Sequence, residues 1–232
     1  MTESTTFSNY RLPGNPVVPV PVVGNMLYDA LGQEALARLN EAFKGKEGIE
    51  DKTKYQPNQP VAFSNPPRNL FFHQFLRENS NDKSVQSPID MIRHWNVLVE
   101  RDTTYADSNA VSIFPNSGPN ENLRTSVLQA FGKTATTVPL LVTGLKPIPS
   151  DNEQGFALER TDFTTVREAL YLIKDGRVRY DPATQDLVAA NDDEFGVQIY
   201  VPDDQSGFRG AYRNRGNLLN FRNDGLLNSD AD

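Results

Sequence analysis

Apolar positions recur at helical spacing through the first half of the chain and at strand-like spacing in its later part. Leu27, Leu31, Ala35, Leu39 and Phe43 follow one another every four residues, with Ala30 and Leu36 widening the stripe and Gly45 and Gly48 after it. That pattern predicts an amphipathic helix over 26–44. Residues 45–68 are polar and proline-rich, which predicts a long irregular connection. A short helix is expected over 69–78, carrying Leu70, Phe71, Phe72, Phe75 and Leu76. The clearest helical signature covers 88–101. Ser87 suits the N-cap, Pro88 the first helical position and Asp90 the positive end of the dipole. Ile89, Ile92, Trp95 and Val99 then share its buried face. A further helix runs from Asn120 as cap through Leu123, Val127 and Phe131 to Gly132.

Residues 134–149 carry Val138, Leu140, Leu141, Val142 and Leu145 with Pro139 at one edge, and predict a strand. Thr165 and Glu168 read as a capping box for a helix of Val166, Ala169, Leu170 and Ile173 that Gly176 stops. Strands are expected over 177–180, 187–190 and 195–201. Asp181-Pro182 marks a turn after the first, and Asp192, Asp193 and Glu194 separate the second from the third. No repeat of 20–50 residues is visible. The expected fold class is α+β: several short amphipathic helices followed by a small antiparallel sheet, with extended N- and C-terminal arms. The domain is expected to span 25–204, and the arms 1–24 and 205–232.

The first arm holds Pro13, Pro16, Pro19 and Pro21, which forbid helix. Between and after them stand Val17, Val18, Val20, Val22 and Val23, too apolar for a solvated linker. Such a segment calls for a groove or a sheet edge. The second arm interleaves Phe208, Arg209, Tyr212, Arg213, Arg215, Phe221 and Arg222 with Gly207, Gly210 and Gly216. Arginines pair with phosphates and aromatics stack on bases, so a single-stranded nucleic acid is one partner of matching chemistry. A protein surface is the other, because Arg, Tyr and Phe are enriched at interfaces. The net charge of −7 and the acids Asp224, Asp230 and Asp232 favour protein.

At 232 residues the chain is long enough for one large domain. Its 13 Phe and 8 Tyr supply large apolar side chains although hydrophobic residues make up only 38%. The absence of cysteine excludes disulfides, zinc-thiolate sites, iron–sulfur clusters and cysteine nucleophiles. No stretch approaches the roughly 20 consecutive apolar residues that span a bilayer, and residues 1–10 lack a basic cluster and an apolar signal core. A soluble intracellular product is expected, cytoplasmic when free and without membrane partners.

Catalytic grammar is sparse. The two histidines, His73 and His94, sit beside aromatic and apolar residues in predicted helices. Either is a formal candidate for a general base, but their neighbours favour core-edge imidazoles. Neither G-x-S-x-G nor H-E-x-x-H occurs. Gly132-Lys133-Thr134 resembles the end of a phosphate loop, yet the glycine needed five residues earlier is Val127. The acidic runs at Asp192–Asp193–Glu194 and Asp203–Asp204 lack the alternating ligand spacing of a calcium loop.

These features lead us to expect a non-enzymatic structural subunit of a large macromolecular assembly, a virion or phage-particle component. It would join other protein subunits, copies of itself included, through the arm residues named above and require no cofactor. The alternatives are a carboxylate-based enzyme acting on carbohydrate or another small polar substrate, and a nucleic-acid-binding protein using its Arg/aromatic tail.

Overall fold

In a computed structural model, which describes residues 22–23, 26–27, 29–57, 59, 61–79, 84–94, 106–214, 218–223 and 225–227, one eight-stranded sheet organises the chain. Across it the strands run β11 (Asp186–Ala189), β10 (Gly176–Asp181), β12 (Val197–Tyr200), β14 (Leu218–Asn223), β13 (Phe208–Asn214), β5 (Ala106–Ile113), β6 (Leu140–Thr143) and β9 (Thr165–Glu168). The β12–β14 pair is parallel and every other neighbouring pair is antiparallel. The expected architecture is therefore corrected. The sheet is large, mixed and curled, and the helices are few, where several helices and a small antiparallel sheet were expected.

The curl can be measured by what it brings together. Arg167 on β9 donates from Nη1 to the backbone oxygen of Gln185, in the β10–β11 turn, over 3.3 Å. These elements stand at opposite ends of the strand order. At about 4.8 Å per strand they would lie roughly 30 Å apart in a flat sheet. A bulge between Gly210 and Tyr212 interrupts both ladders of β13, and such bulges increase local twist and bend.

Pleat alternation divides the core in two. Val111 and Ile113 of β5, Leu140 and Val142 of β6 and Phe208 of β13 belong to the outer cluster. It is covered by α1 (Asp29–Ala42), α2 (Pro66–Asn79), α4 (Glu121–Ala130) and the hairpin of β7 (Lys146–Pro149) and β8 (Phe156–Glu159). Ala110, Leu141, Val178, Ile199, Leu219 and Phe221 face the inner, concave side. There Met91 and Ile92 of α3 (Pro88–Arg93) and Leu172 of a 3-10 turn (Leu170–Leu172) fill the curl.

Local signals worked where no distant strand competed. Ala35, Leu36 and Leu39 are buried along α1 and Phe43 just after it, and Ser87 is the N-cap of α3 as expected, in a capping box with Asp90. The expected helix after Thr165 is instead β9 and the 3-10 turn. Val166 pairs with Val142 there, and the Thr143 and Thr165 hydroxyls share a 2.7 Å hydrogen bond. A ladder with a buried face outweighs a local cap. The single strand expected over 134–149 breaks at Gly144, whose φ is 71°. A Cβ there would lie 2.6 Å from the Phe163 backbone oxygen, so glycine is required for the close approach. Within 88–101 the described helix is α3, closed by His94, and Trp95 and Val99 lie outside the described residues.

The segments expected as arms are described in part. Val17, Val18 and Val20 lie outside the described residues. Val22 and Val23 form β1 (Val22–Val23) and pair in parallel with β4 (Ser84–Val85) of the same chain. A second small pair joins β2 (Met26–Leu27) to β3 (Val61–Ala62). Residues 208–214 and 218–223, expected to form an arm, are instead the central strands β13 and β14. Phe208 and Phe221 are both 0% exposed. Strand-poor Gly, Asn and Arg are tolerated because apolar clusters cover the sheet on both faces and the arginines serve backbone carbonyls.

Phe221→Ala should therefore lower unfolding free energy by about 3–5 kcal/mol, as truncation of a fully buried aromatic does. Urea denaturation followed by circular dichroism measures it. A loss below about 1 kcal/mol would return this segment to the periphery.

Candidate functional site

Among the described residues a concavity of about 210 Å³ opens on the inner face, at the seam where the two ends of the sheet meet. Register explains its composition. Thr143 stands opposite Thr165, and Leu141 opposite Arg167, so these four side chains share one face of β6 and β9. Tyr180 of β10 reaches the cavity from the far end of the sheet, and α3 contributes Asp90 and Arg93.

Each polar side chain is positioned by a neighbour. Ser87 donates from its backbone N–H and from Oγ to Asp90 Oδ2, over 3.0 and 2.7 Å. The Asp90 N–H donates back to Ser87 Oγ over 3.2 Å. The Arg93 guanidinium lies over the Tyr180 ring, 5.2 Å from its centroid, a cation–π arrangement. Its Nε is buried and has no hydrogen-bond partner. Arg167 is held by Gln185 as described. The result is a donor-rich pocket with two guanidinium groups, a threonine hydroxyl pair, a phenol and one carboxylate. Ser87 Oγ is committed to the helix cap as donor and acceptor together.

The histidines lie outside the cavity lining. His73, buried in α2, meets Asn109 Nδ2 at 3.2 Å through its Nδ1, and the same amide donates to Val85 O over 3.0 Å. Nδ1 accepts that bond while the ring is neutral. Burial, and then the nearby Arg77 charge, lower its pKa from 6.5 to about 4 against the opposing pull of Asp90. His94 closes α3 by donating its backbone N–H to Asp90 O over 3.0 Å. Its pKa is lowered by burial first and by Arg93 second. The acidic runs are turned to local use. Asp204 accepts from the Ser206 N–H and hydroxyl, Asp203 pairs with Arg222, and Glu194 pairs with Arg179. Among the described residues no three His, Cys, Asp or Glu side chains converge as a metal site. Nor is any described helix long and apolar enough to cross a membrane.

The residues singled out in the C-terminal segment face different ways. Phe208 lies in the outer core and Phe221 in the inner one. Arg209, buried, donates from Nε to Ser206 O and from Nη1 to Arg222 O, both over 2.8 Å. Arg222 donates to Val201 O, pairs with Asp175 and Asp203, and lies over the Tyr200 ring. Tyr212 is half-buried within β13, Arg213 is buried, and Arg215 lies outside the described residues. The expectation that these residues form an outward docking or base-stacking strip is corrected, because Phe208, Arg209, Arg213 and Phe221 are enclosed by their own fold.

The sequence pattern places Asp90 at the positive end of a helix dipole and Thr165 in a capping box, and marks no site role for Arg93, Thr143, Arg167 or Tyr180. These residues come from four elements and share no spacing that a sequence pattern could register. No known protein-family model, curated protein or solved structure matches the chain.

The His73 environment sets an acid limit. A depressed folded pKa means that the unfolded chain binds the proton first. The contribution is complete above pH 6.5, the unfolded value, and is lost as pH falls towards the folded value of about 4. Over that window His73 should remove up to about 3 kcal/mol of stability. Urea titrations between pH 7 and 4 should show a flatter pH dependence for His73→Gln. An unchanged slope would contradict the assignment.

Proposed function

We propose that the chain is a non-enzymatic subunit of a larger assembly, of the virion or phage-particle kind, and that copies of itself are among its partners. The observation that carries this reading is the open edge at β9 and the apolar side chains beside it. Ala169 donates its N–H to Pro139 O over 2.8 Å. In an antiparallel ladder alternate residues face the partner strand, so Thr165 and Arg167 turn with Ala169 towards β6. The backbone groups of Val166 and Glu168 then point the other way, where no described strand pairs with them.

Immediately after this edge, Leu170 is 58% and Ile173 51% exposed. Side chains three residues apart eclipse on a 3-10 turn, so the two present one small apolar spot. An unpaired strand with exposed leucine and isoleucine beside it is a template for strand addition and side-chain docking. Val17, Val18 and Val20, which precede β1 in the chain, supply apolar side chains of the kind such an edge accepts. The cavity supports a second reading, an enzyme acting on a small polar substrate, with Asp90 as its carboxylate.

Sedimentation equilibrium of the full chain tests the assembly reading. We expect reversible self-association that grows with concentration, and a Leu170→Glu/Ile173→Glu protein that stays monomeric with an unchanged melting temperature. A wild-type monomer at every concentration up to about 100 μM, a range that detects interfaces of modest affinity, would overturn it.

A further inference from the structure

We propose that the inner-face cavity is a receptor for a small oxyanion, a carboxylate or phosphate group on a molecule of a few atoms. The inference is independent of the assembly reading. Arg93 lines the cavity with its guanidinium over the Tyr180 ring, while its Nε is enclosed. Across the cavity Arg167 has one N–H engaged with Gln185 O, at a long 3.3 Å. The rest of its fork remains for a ligand, and guanidinium forks match the paired oxygens of carboxylate and phosphate.

The remaining lining agrees in sign. The Thr143 and Thr165 hydroxyls share a single bond between them, so one hydroxyl hydrogen is left over to donate. Asp90 is the one carboxylate of the lining, and its Oδ2 already receives two bonds from Ser87. Two arginines against one aspartate leave the lining at +1. That charge favours an anion. Size sets the other limit. With about 30 Å³ per water, 210 Å³ holds about seven water molecules. Inorganic phosphate or a short dicarboxylate fits that space.

The test is a titration of the full-length protein with inorganic phosphate and, separately, with succinate. Both are followed by melting temperature and isothermal calorimetry, against sodium chloride of equal ionic strength. A saturable rise in melting temperature with at least one of the two oxyanions, absent with chloride, is expected. The responding probe distinguishes phosphate from carboxylate. Arg167→Gln, at an exposed strand edge, should fold as wild type and bind about tenfold more weakly, the loss of one charged hydrogen-bonding group. Arg93→Gln should lose binding further. The inference is overturned if neither oxyanion gives a saturable response up to about 10 mM, above the millimolar range of weak sites. Equal shifts with chloride overturn it too, as does binding unchanged in a folded Arg167→Gln protein.

Discussion

The antiparallel pairing of β13 with β5 is the interaction on which the remaining architecture depends. Phe208 stands opposite Ile113, Arg209 opposite Ser112 and Gly210 opposite Val111, and Ser112 Oγ donates to Arg209 O over 3.2 Å. The pairing joins segments about a hundred residues apart. On one side of it lie β6 and β9, and on the other β14, β12, β10 and β11. Without it the late strands have no connection through the sheet to the part covered by α1, α2 and α4. Closing so long a loop opposes folding entropically, although the cost grows only slowly with length. Phe208 offsets it on the outer face, and Ala211, Leu219 and Phe221 on the inner one.

The same pairing explains the cavity and the open edge together. Curling around β13 brings β9 towards the β10–β11 turn, and Arg167 reaches across to Gln185. The two edge strands approach without forming a backbone ladder with each other. The seam therefore has polar side chains on its concave side and unpaired backbone on its rim. A barrel that closed completely would remove the edge altogether.

How much could be read beforehand follows from the range of each interaction. The α1 stripe, the Ser87–Asp90 cap and the Asp181 turn, where Ala183 N–H and Thr184 Oγ1 donate to the carboxylate, are set within a few residues. All three were legible. Thr165 and Glu168 carried an equally good local signal for a helix, and pairing with β6 overrode it. The Gly-, Asn- and Arg-rich C-terminal segment looked like an arm because its arginines were read as surface charges. In the fold the Arg209 guanidinium serves Ser206 O and Arg222 O in the interior, a role that composition does not reveal. The cavity was illegible for a further reason: its functional groups meet only through register and curl.

Hydrogen exchange on the intact protein at neutral pH bears most directly on this account. With β13 at the centre of the sheet, amides over 208–213 should exchange only through global unfolding, with protection close to that of the β5 amides over 107–113 and equal in free energy to the whole unfolding transition. If residues 208–213 instead exchange at the rate of an unstructured peptide while β5 stays protected, the β5–β13 pairing, and the curled sheet built on it, would be refuted.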